Sequence, residues 1–109
     1  MNKIIFGQIG KLKKDKIAEY TALHANPWEG VLETMKRCNL QNYSIFLQED
    51  FVFAYFEYVG DDYTTDMRKM AQDAITQEWW AHTKPCFIKN AFSEGGEFYK
   101  DMQSIFYLA

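Results

Sequence analysis

Tyr20 and His24 are the residues of this 109-residue chain whose types and spacing best suit chemistry. They stand four positions apart, so on a helix their side chains project from one face and reach a common point. A histidine, with its ordinary pKa of about 6.5, can give or take a proton at neutral pH, and a neighbouring phenol can orient a substrate oxygen. The spacing indicates a proton-transfer site. The alternative is a helix face on which both side chains only satisfy core hydrogen bonds.

The adjacent tryptophans Trp79 and Trp80 form the second candidate feature. Neighbouring helical residues point about 100° apart, so both indoles cannot enter one core layer equally. Indole faces pack against the C–H faces of sugars and against other apolar rings, while the ring N–H donates a hydrogen bond. The pair therefore predicts that one indole lines a binding surface. The ordinary alternative is one core tryptophan and one at an interface between copies.

Other site chemistries have no pattern in the sequence. His24 and His82 stand alone, without the spacing of a zinc or facial-triad site, so we expect no metal. The glycines form neither a dinucleotide-binding fingerprint nor a phosphate loop, and no serine lies in G-x-S-x-G. We expect no cofactor, and proton transfer remains as the predicted chemistry.

Length, charge and cysteine content limit the class of protein. The 109 residues fit a single domain, 1–109, and a net charge of −3 offers no basic surface for nucleic acid or anionic membranes. Cys38 and Cys86 show no ligand spacing, and no apolar run is long enough for a signal sequence or membrane span. We expect two free thiols and a cytoplasmic location.

The elements that must position these residues follow from periodicity. Residues 3–9 predict a strand, and apolar residues three or four apart over 13–37 predict an amphipathic helix. Pro27 must interrupt this helix, and we expect Asn26 to cap a second segment that has Pro27 at its first position. The sequence therefore predicts two helical segments that meet near His24.

The second half of the chain repeats this pattern. Residues 42–48 and 51–58 predict a hairpin, and residues 63–82 predict a helix that breaks near Gln72 and ends before Pro85. Residues 86–102 look irregular around Gly95 and Gly96, and the apolar segment 104–108 predicts a last strand. The order β-α-β-β-α-β predicts an α+β, ferredoxin-like fold with an antiparallel sheet and both helices on one face.

The strand at 51–58 is apolar on both faces. Phe51, Phe53 and Tyr55 lie on one face, and Val52, Ala54, Phe56 and Tyr58 on the other. Two helices cover only one face, so a second copy of the chain is the simplest cover for the other. We expect a homodimer that packs sheet against sheet as a dimeric α+β barrel.

Four segments together resemble the L-rhamnose mutarotase family. They are Tyr20-x-x-x-His24-x-x-x-Trp28, the run 42–47 (NYSIFL), the pair Trp79-Trp80, and the terminal run 105–108 (IFYL). The segments follow one another from the first helix to the end of the chain. The resemblance implies a small, dimeric, ferredoxin-like isomerase that interconverts the α and β anomers of a 6-deoxy-hexose without a cofactor.

The resemblance also implies roles for individual residues. His24 matches the proton donor, Tyr20 a catalytic and substrate-binding tyrosine, and Tyr43, Trp79 and Trp80 further substrate contacts. Compared with the family, Ala25 is inserted before Asn26-Pro27, which leaves the sugar open between L-rhamnose and L-fucose. Two alternatives from other classes remain: a dimeric ferredoxin-like oxygenase or haem-degrading relative, and a binding module that holds a small ligand without converting it.

Overall fold

A computed structural model describes residues 3–92 and 96–109. Of the segment 86–102 that was predicted to be irregular, residues 93–95 lie outside the described residues, and residues 99–101 form a strand instead. The strands are β1 (Ile4–Lys11), β2 (Leu40–Gln48), β3 (Phe51–Tyr58) and β4 (Tyr99–Asp101). The helices are α1 (Ile17–Ala25), α2 (Glu29–Arg37), α3 (Tyr63–Gln72) and α4 (Ala74–Thr83), with single 3-10 turns at Lys14–Lys16 and Lys84–Cys86.

The four strands form one antiparallel sheet in the order β2-β3-β1-β4. The central strands β1 and β3 pair along their whole length, and β2 continues the hairpin with β3. The split βαβ arrangement brings the last strand next to the first, as a ferredoxin-like fold requires. The predicted α+β class and ferredoxin-like order are confirmed.

The two faces of β3 differ in burial. Val52, Ala54, Phe56 and Tyr58 are all at most 4% exposed because they pack beneath the helices. Aromatic side chains of the opposite face, such as Phe53, are only half-buried, and Phe46 opposite it on β2 is 64% exposed. The helices therefore cover one face of the sheet and leave an apolar outer face.

Pro27 separates α1 from α2, as predicted, but the predicted cap is wrong. Asn26 ends α1 instead, with φ of −133° and ψ of 69°, because the residue before proline is driven out of helical geometry. The second segment begins two residues after Pro27, at Glu29, with Trp28 in the flanking position and no side-chain cap. The break leaves His24 in the last turn of α1.

Aspartates begin both helices of the second half. Asp62 accepts a hydrogen bond from the Thr65 amide at 3.1 Å, and Asp73 accepts one from the Thr76 amide at 3.0 Å. These side chains satisfy amides that a helix start leaves unpaired. Asp73 falls between α3 and α4, so the predicted break near Gln72 is confirmed.

The predicted last strand at 104–108 is wrong. The strand that pairs with β1 is the three-residue β4, and this pairing continues only as far as the Met102 amide, which donates to the Gly7 carbonyl at 2.7 Å. Beyond it the chain leaves the sheet, and Ile105 and Phe106 are 90% and 81% exposed. A strand forms only where its backbone pairs with a sheet edge, and among the described residues 104–108 pairs with neither edge strand, β2 or β4.

Two clusters of buried side chains form the core beneath the helices. The first surrounds Tyr20 and Phe87, and the second surrounds Tyr58 and Met70. Residues of the first cluster, and side chains packed against both clusters, line the cavity described below. None of the helices in the part of the chain that the structure describes is long and apolar enough to cross a membrane.

Candidate active site

One cavity of about 630 Å³ lies beneath the helices, and its walls carry every site residue that the sequence predicts. A volume of this size falls in the range of roughly 300–1,000 Å³ that small-molecule sites occupy. The predicted residues on its walls are Tyr20, His24, Tyr43, Trp79 and Trp80. Helix, hairpin and second helix pair therefore contribute to the same space.

His24 lies on the wall of this cavity, and a backbone contact defines its tautomer. Its Nδ1 lies 2.9 Å from the backbone carbonyl of Tyr20. A carbonyl only accepts, so Nδ1 carries a proton and Nε2 is the nitrogen that can exchange one. Burial lowers the pKa of His24, partly opposed by this hydrogen bond. At neutral pH His24 is therefore a neutral imidazole whose Nε2 accepts a proton.

Aromatic rings fix the orientation of the His24 ring. The ring centroids of Tyr20 and His24 are 4.3 Å apart, and the Trp79 ring meets His24 edge-on at 5.2 Å. Trp79 in turn packs edge-on against Trp28, also at 5.2 Å. Trp28, the last residue of the first motif, thus supports Trp79 from behind and is not on the cavity wall.

Tyr43 reaches the cavity through an irregularity in β2. The pairing of β2 with β3 shifts between Gln41 and Ser44, and Asn42 adopts a left-handed φ of 51°. Such a bulge turns a side chain away from the strict alternation of a strand. The Tyr43 ring stacks on Phe56 at 4.9 Å, on the helix side of the sheet.

Glu57 holds this bulge in place. Its carboxylate accepts hydrogen bonds from Gln41 and Asn42, both at 2.9 Å, and from the Tyr55 hydroxyl at 2.7 Å. These donors lower the pKa of Glu57 to about 2. Because Gln41 and Asn42 immediately precede Tyr43, the buried carboxylate positions a cavity residue without lying in the cavity itself.

Trp80 also lines the cavity, and its ring contacts the Lys84 ammonium. The Lys84 ammonium lies 4.3 Å from the centroid of the Trp80 ring and 5.3 Å from that of Phe98. An ammonium over an indole face is an attractive contact that fixes the plane of the ring. Both indoles of the pair line the cavity, as the family resemblance implied, whereas the residue pattern alone predicted one.

Tyr99 is one of several wall residues that were not predicted from the sequence. Its hydroxyl lies 2.9 Å from the hydroxyl of Tyr20, which is 79 positions away. Burial raises the pKa of both phenols, so both stay protonated at neutral pH. No local pattern could have indicated this contact, since it depends on the register of β4. The other wall residues that were not predicted include Met35, Thr83, Lys84, Phe87 and Phe98.

The polar groups of the cavity suit proton transfer to a neutral ligand. The walls combine one imidazole, three phenols and two indoles, and the Glu97 carboxylate also on the wall is paired with Lys89 at 3.0 Å. Among residues 3–92 and 96–109, no three His, Cys, Asp or Glu side chains lie close enough together to hold a metal ion. The arrangement offers one imidazole for proton transfer, several hydroxyl donors and an apolar aromatic wall.

The comparison with known families decides the class of protein. The sequence model of the L-rhamnose mutarotase family matches residues 6–108, which is nearly the whole chain. The chain belongs to the L-rhamnose mutarotase family. The resemblance stated from the sequence is thereby confirmed.

Individual relatives agree with this family. An L-rhamnose mutarotase of Lactiplantibacillus plantarum is 33% identical over 104 residues, covering 94% of this chain and 95% of the relative. One of Listeria monocytogenes is 37% identical over 93 residues, covering 84% and 85%. Both alignments cover most of each protein, so this mutarotase-family chain spans nearly the full length of these relatives.

Solved structures agree on the fold. The crystal structure of an L-rhamnose mutarotase from Formosa agariphila superposes with a TM-score of 0.75 at 20% identity, covering 97% of this chain and 99% of that one. A NIPSNAP family protein from Agrobacterium tumefaciens follows with a TM-score of 0.64, also at 20% identity. The same scaffold therefore occurs in proteins outside the mutarotase family.

Proposed function

We propose that this protein is a cofactor-independent L-rhamnose mutarotase that interconverts the α and β anomers of the sugar. The observation that carries the proposal is His24, with Nδ1 bonded to a carbonyl and Nε2 left to exchange a proton, on the wall of a cavity that Trp79 and Trp80 also line. Family membership supports the reaction and the sugar, since the family model and the relatives carry the name L-rhamnose mutarotase.

His24 acts as the proton donor to the ring oxygen. Neutral Nε2 first accepts the proton of the anomeric hydroxyl, and the resulting imidazolium delivers a proton to the ring oxygen as the bond between C1 and that oxygen breaks. The open-chain aldehyde turns about the C1–C2 bond, and the reverse steps close the ring on its other face. One proton moves between two oxygens on the same carbon, so a single acid–base group suffices.

Tyr20 and Tyr43 orient the sugar as neutral phenols. Burial raises the pKa of Tyr20, so its hydroxyl is a hydrogen-bond donor or acceptor and a phenolate is not available as the base. Tyr20 lies directly beside His24, and its hydroxyl holds the anomeric oxygen. Tyr43, on the bulge of β2, binds a hydroxyl elsewhere on the ring.

Trp79 and Trp80 bind the apolar parts of the substrate. Their indoles lie on the same cavity as Tyr43, and aromatic faces pack well against the C–H groups of a pyranose. In a 6-deoxy-hexose, C6 is a methyl group, which would pack against these indoles. This supports a deoxy sugar over one with a hydroxyl at that position.

The functional unit is proposed to be a homodimer located in the cytoplasm. The outer sheet face carries Phe46 at 64% exposure and the terminal segment carries Leu108 at 81% exposure. Exposed apolar area of this kind is covered in stable proteins by a partner, and a second copy packs sheet against sheet. Light scattering at micromolar concentration should give twice the mass of 12.9 kDa, and Phe46→Asp should lower it toward the monomer.

Anomer exchange tests the proposed reaction. Saturation-transfer NMR measures exchange between the α and β H1 resonances of L-rhamnose, L-fucose and D-galactose with catalytic amounts of protein. We expect accelerated exchange, fastest for L-rhamnose. Faster exchange of L-fucose would identify an L-fucose mutarotase, and sugar binding without exchange would identify a binding module. A Soret band or substrate-dependent oxygen uptake would identify the oxygenase alternative.

A further inference from the structure

Tyr99 contacts the predicted catalytic pair through the Tyr20 hydroxyl. The two oxygens lie 2.9 Å apart, and among the hydrogen bonds between described residues this is the one that the Tyr20 hydroxyl makes. Tyr20 itself is only 5% exposed, so its hydroxyl turns within a confined space. Whatever binds beside His24 therefore meets a hydroxyl whose direction depends on Tyr99.

The fold gives this contact a rigid frame. Phe87, which is 3% exposed, meets the Tyr20 ring edge-on at 5.3 Å and the Tyr99 ring at 5.1 Å. The residue opposite Tyr99 on β1 is Gly10, where a Cβ would come within 2.7 Å of Phe87. A side chain at this position would displace Phe87, so glycine here is required for the packing that brings the two phenols together.

We propose that Tyr99 is a positioning residue for Tyr20, and that it donates to the Tyr20 oxygen so that the Tyr20 proton points at the C1 oxygen of the sugar. The inference rests on the proposed mutarotase function. A hydroxyl has one proton, so accepting from Tyr99 leaves the Tyr20 proton free for the substrate. A donor that itself accepts a hydrogen bond is also strengthened by it.

A hydrogen bond donated by Tyr99 to Tyr20 suits the reaction better than one donated by Tyr20 to Tyr99. As the anomeric proton leaves for His24, the C1 oxygen gains negative charge and becomes a carbonyl, which only accepts hydrogen bonds. A Tyr20 proton already aimed at it stabilises this change most where the charge develops. The contribution therefore belongs to kcat and less to KM.

A double-mutant cycle tests the inference. Tyr99→Phe keeps the ring contact with Phe87 and removes only the hydroxyl. We expect kcat for L-rhamnose exchange to fall about 3- to 10-fold, the range of one hydrogen bond, with KM changed less than about 2-fold. In a Tyr20→Phe background, Tyr99→Phe should lower kcat less than about 2-fold, because the Tyr20 hydroxyl that Tyr99 positions is absent. Tyr63→Phe, whose ring packs in the second core cluster, is the matched control.

Equal losses in both backgrounds, a change confined to KM, or no loss from Tyr99→Phe would each overturn the inference. If exchange by Tyr20→Phe is too slow to measure, the kinetic cycle is replaced by NMR of the tyrosine Cζ resonances in labelled protein. The Tyr20 resonance should move in Tyr99→Phe and stay in Tyr63→Phe, and an unmoved resonance contradicts the contact. A wild-type protein that exchanges no anomers refutes the proposed function instead, while the Cζ comparison still decides whether Tyr99 holds Tyr20.

Discussion

Tyr58 and Tyr20 are both buried tyrosines on the helix side of the sheet, but their hydroxyls have different surroundings. The Tyr58 hydroxyl donates to Asp66 at 2.6 Å and accepts from the Asp62 amide at 2.9 Å, and Asn39 donates to the same carboxylate. Among the residues that the structure describes, the Tyr20 hydroxyl has one hydrogen-bond partner, the Tyr99 hydroxyl, and Tyr20 lines a cavity. The first set of bonds is complete, whereas the second leaves a proton and lone pairs for a ligand.

The comparison separates structural from functional polar groups. A buried hydroxyl between a carboxylate and an amide contributes stability, because each group would be costly to leave unpaired. Groups with remaining hydrogen-bonding capacity beside an open space are the ones that bind and react. We therefore expect substitutions at His24 to lower activity with little effect on stability, and substitutions at Tyr58 to do the reverse.

The largest effect is expected at His24. His24→Ala should lower kcat/KM for L-rhamnose exchange by roughly 10²- to 10⁴-fold, the usual contribution of an acid–base group, while Tm changes little. His82→Ala is a matched control, since its Nδ1 also contacts the carbonyl four residues earlier at 2.9 Å but its ring is exposed. Equal activity of His24→Ala and wild type would refute the assignment.

The pH dependence of exchange should show the protonation of His24. Burial lowers its pKa below the ordinary value of about 6.5, and the neutral form starts the reaction. We expect kcat/KM to stay level from pH 8 down to about 6.5 and to fall below the lowered pKa, approaching tenfold per pH unit. A rate that rises as the pH falls would mean that the imidazolium starts the reaction.

Tyr58→Phe should lower stability and leave activity nearly unchanged, the reverse of what is expected for His24→Ala. The change leaves the buried Asp66 carboxylate with one donor fewer, so we expect Tm to fall by about 5 °C and exchange to stay within about 2-fold of wild type. Tyr63→Phe, on the same core cluster, should change Tm less. A loss of exchange in Tyr58→Phe at a temperature where it is folded would remove the distinction between the two regions.

The smallest effect is expected at Glu57, as a change in how stability depends on pH in acid. Its folded pKa of about 2 lies below the ordinary value of 4.5, so its ionised form stabilises the fold above pH 4.5 and loses this contribution as the pH falls toward 2. Thermal unfolding of Glu57→Gln should therefore depend less on pH in that window than wild type. Glu33→Gln, at an exposed position of α2, should keep the wild-type dependence.

Local geometry accounts for two of the predicted pairs, whereas Tyr43 was predicted through the family resemblance. Tyr20 and His24 share a helix face by spacing, and the indole pair is adjacent in the chain. The place of Tyr43 in the cavity depends on a bulge at which Asn42 adopts a positive φ. In the sequence, the sign of this bulge is an asparagine, a residue type that tolerates a positive φ. Tyr99 depends on a three-residue strand pairing across the whole chain, which no periodicity shows.

The fold was predictable for a related reason. Alternation and helical periodicity gave the order of elements and the breaks at Pro27 and near Gln72. The terminal segment 104–108 has the composition of a strand, but composition does not show which sheet edge is free to pair. The same limit explains why β4 lies earlier, at Tyr99–Asp101, where its register brings a phenol to the cavity.

Histidine ¹⁵N NMR tests the central claim most directly, because it observes the nitrogen that is proposed to exchange the proton. At pH 7 we expect His24 to carry its proton on Nδ1. L-rhamnose should shift the Nε2 resonance of His24 and leave that of His82 unchanged. A sugar that saturates the protein without moving the His24 Nε2 resonance, or a His24 protonated on Nε2 instead, would contradict it.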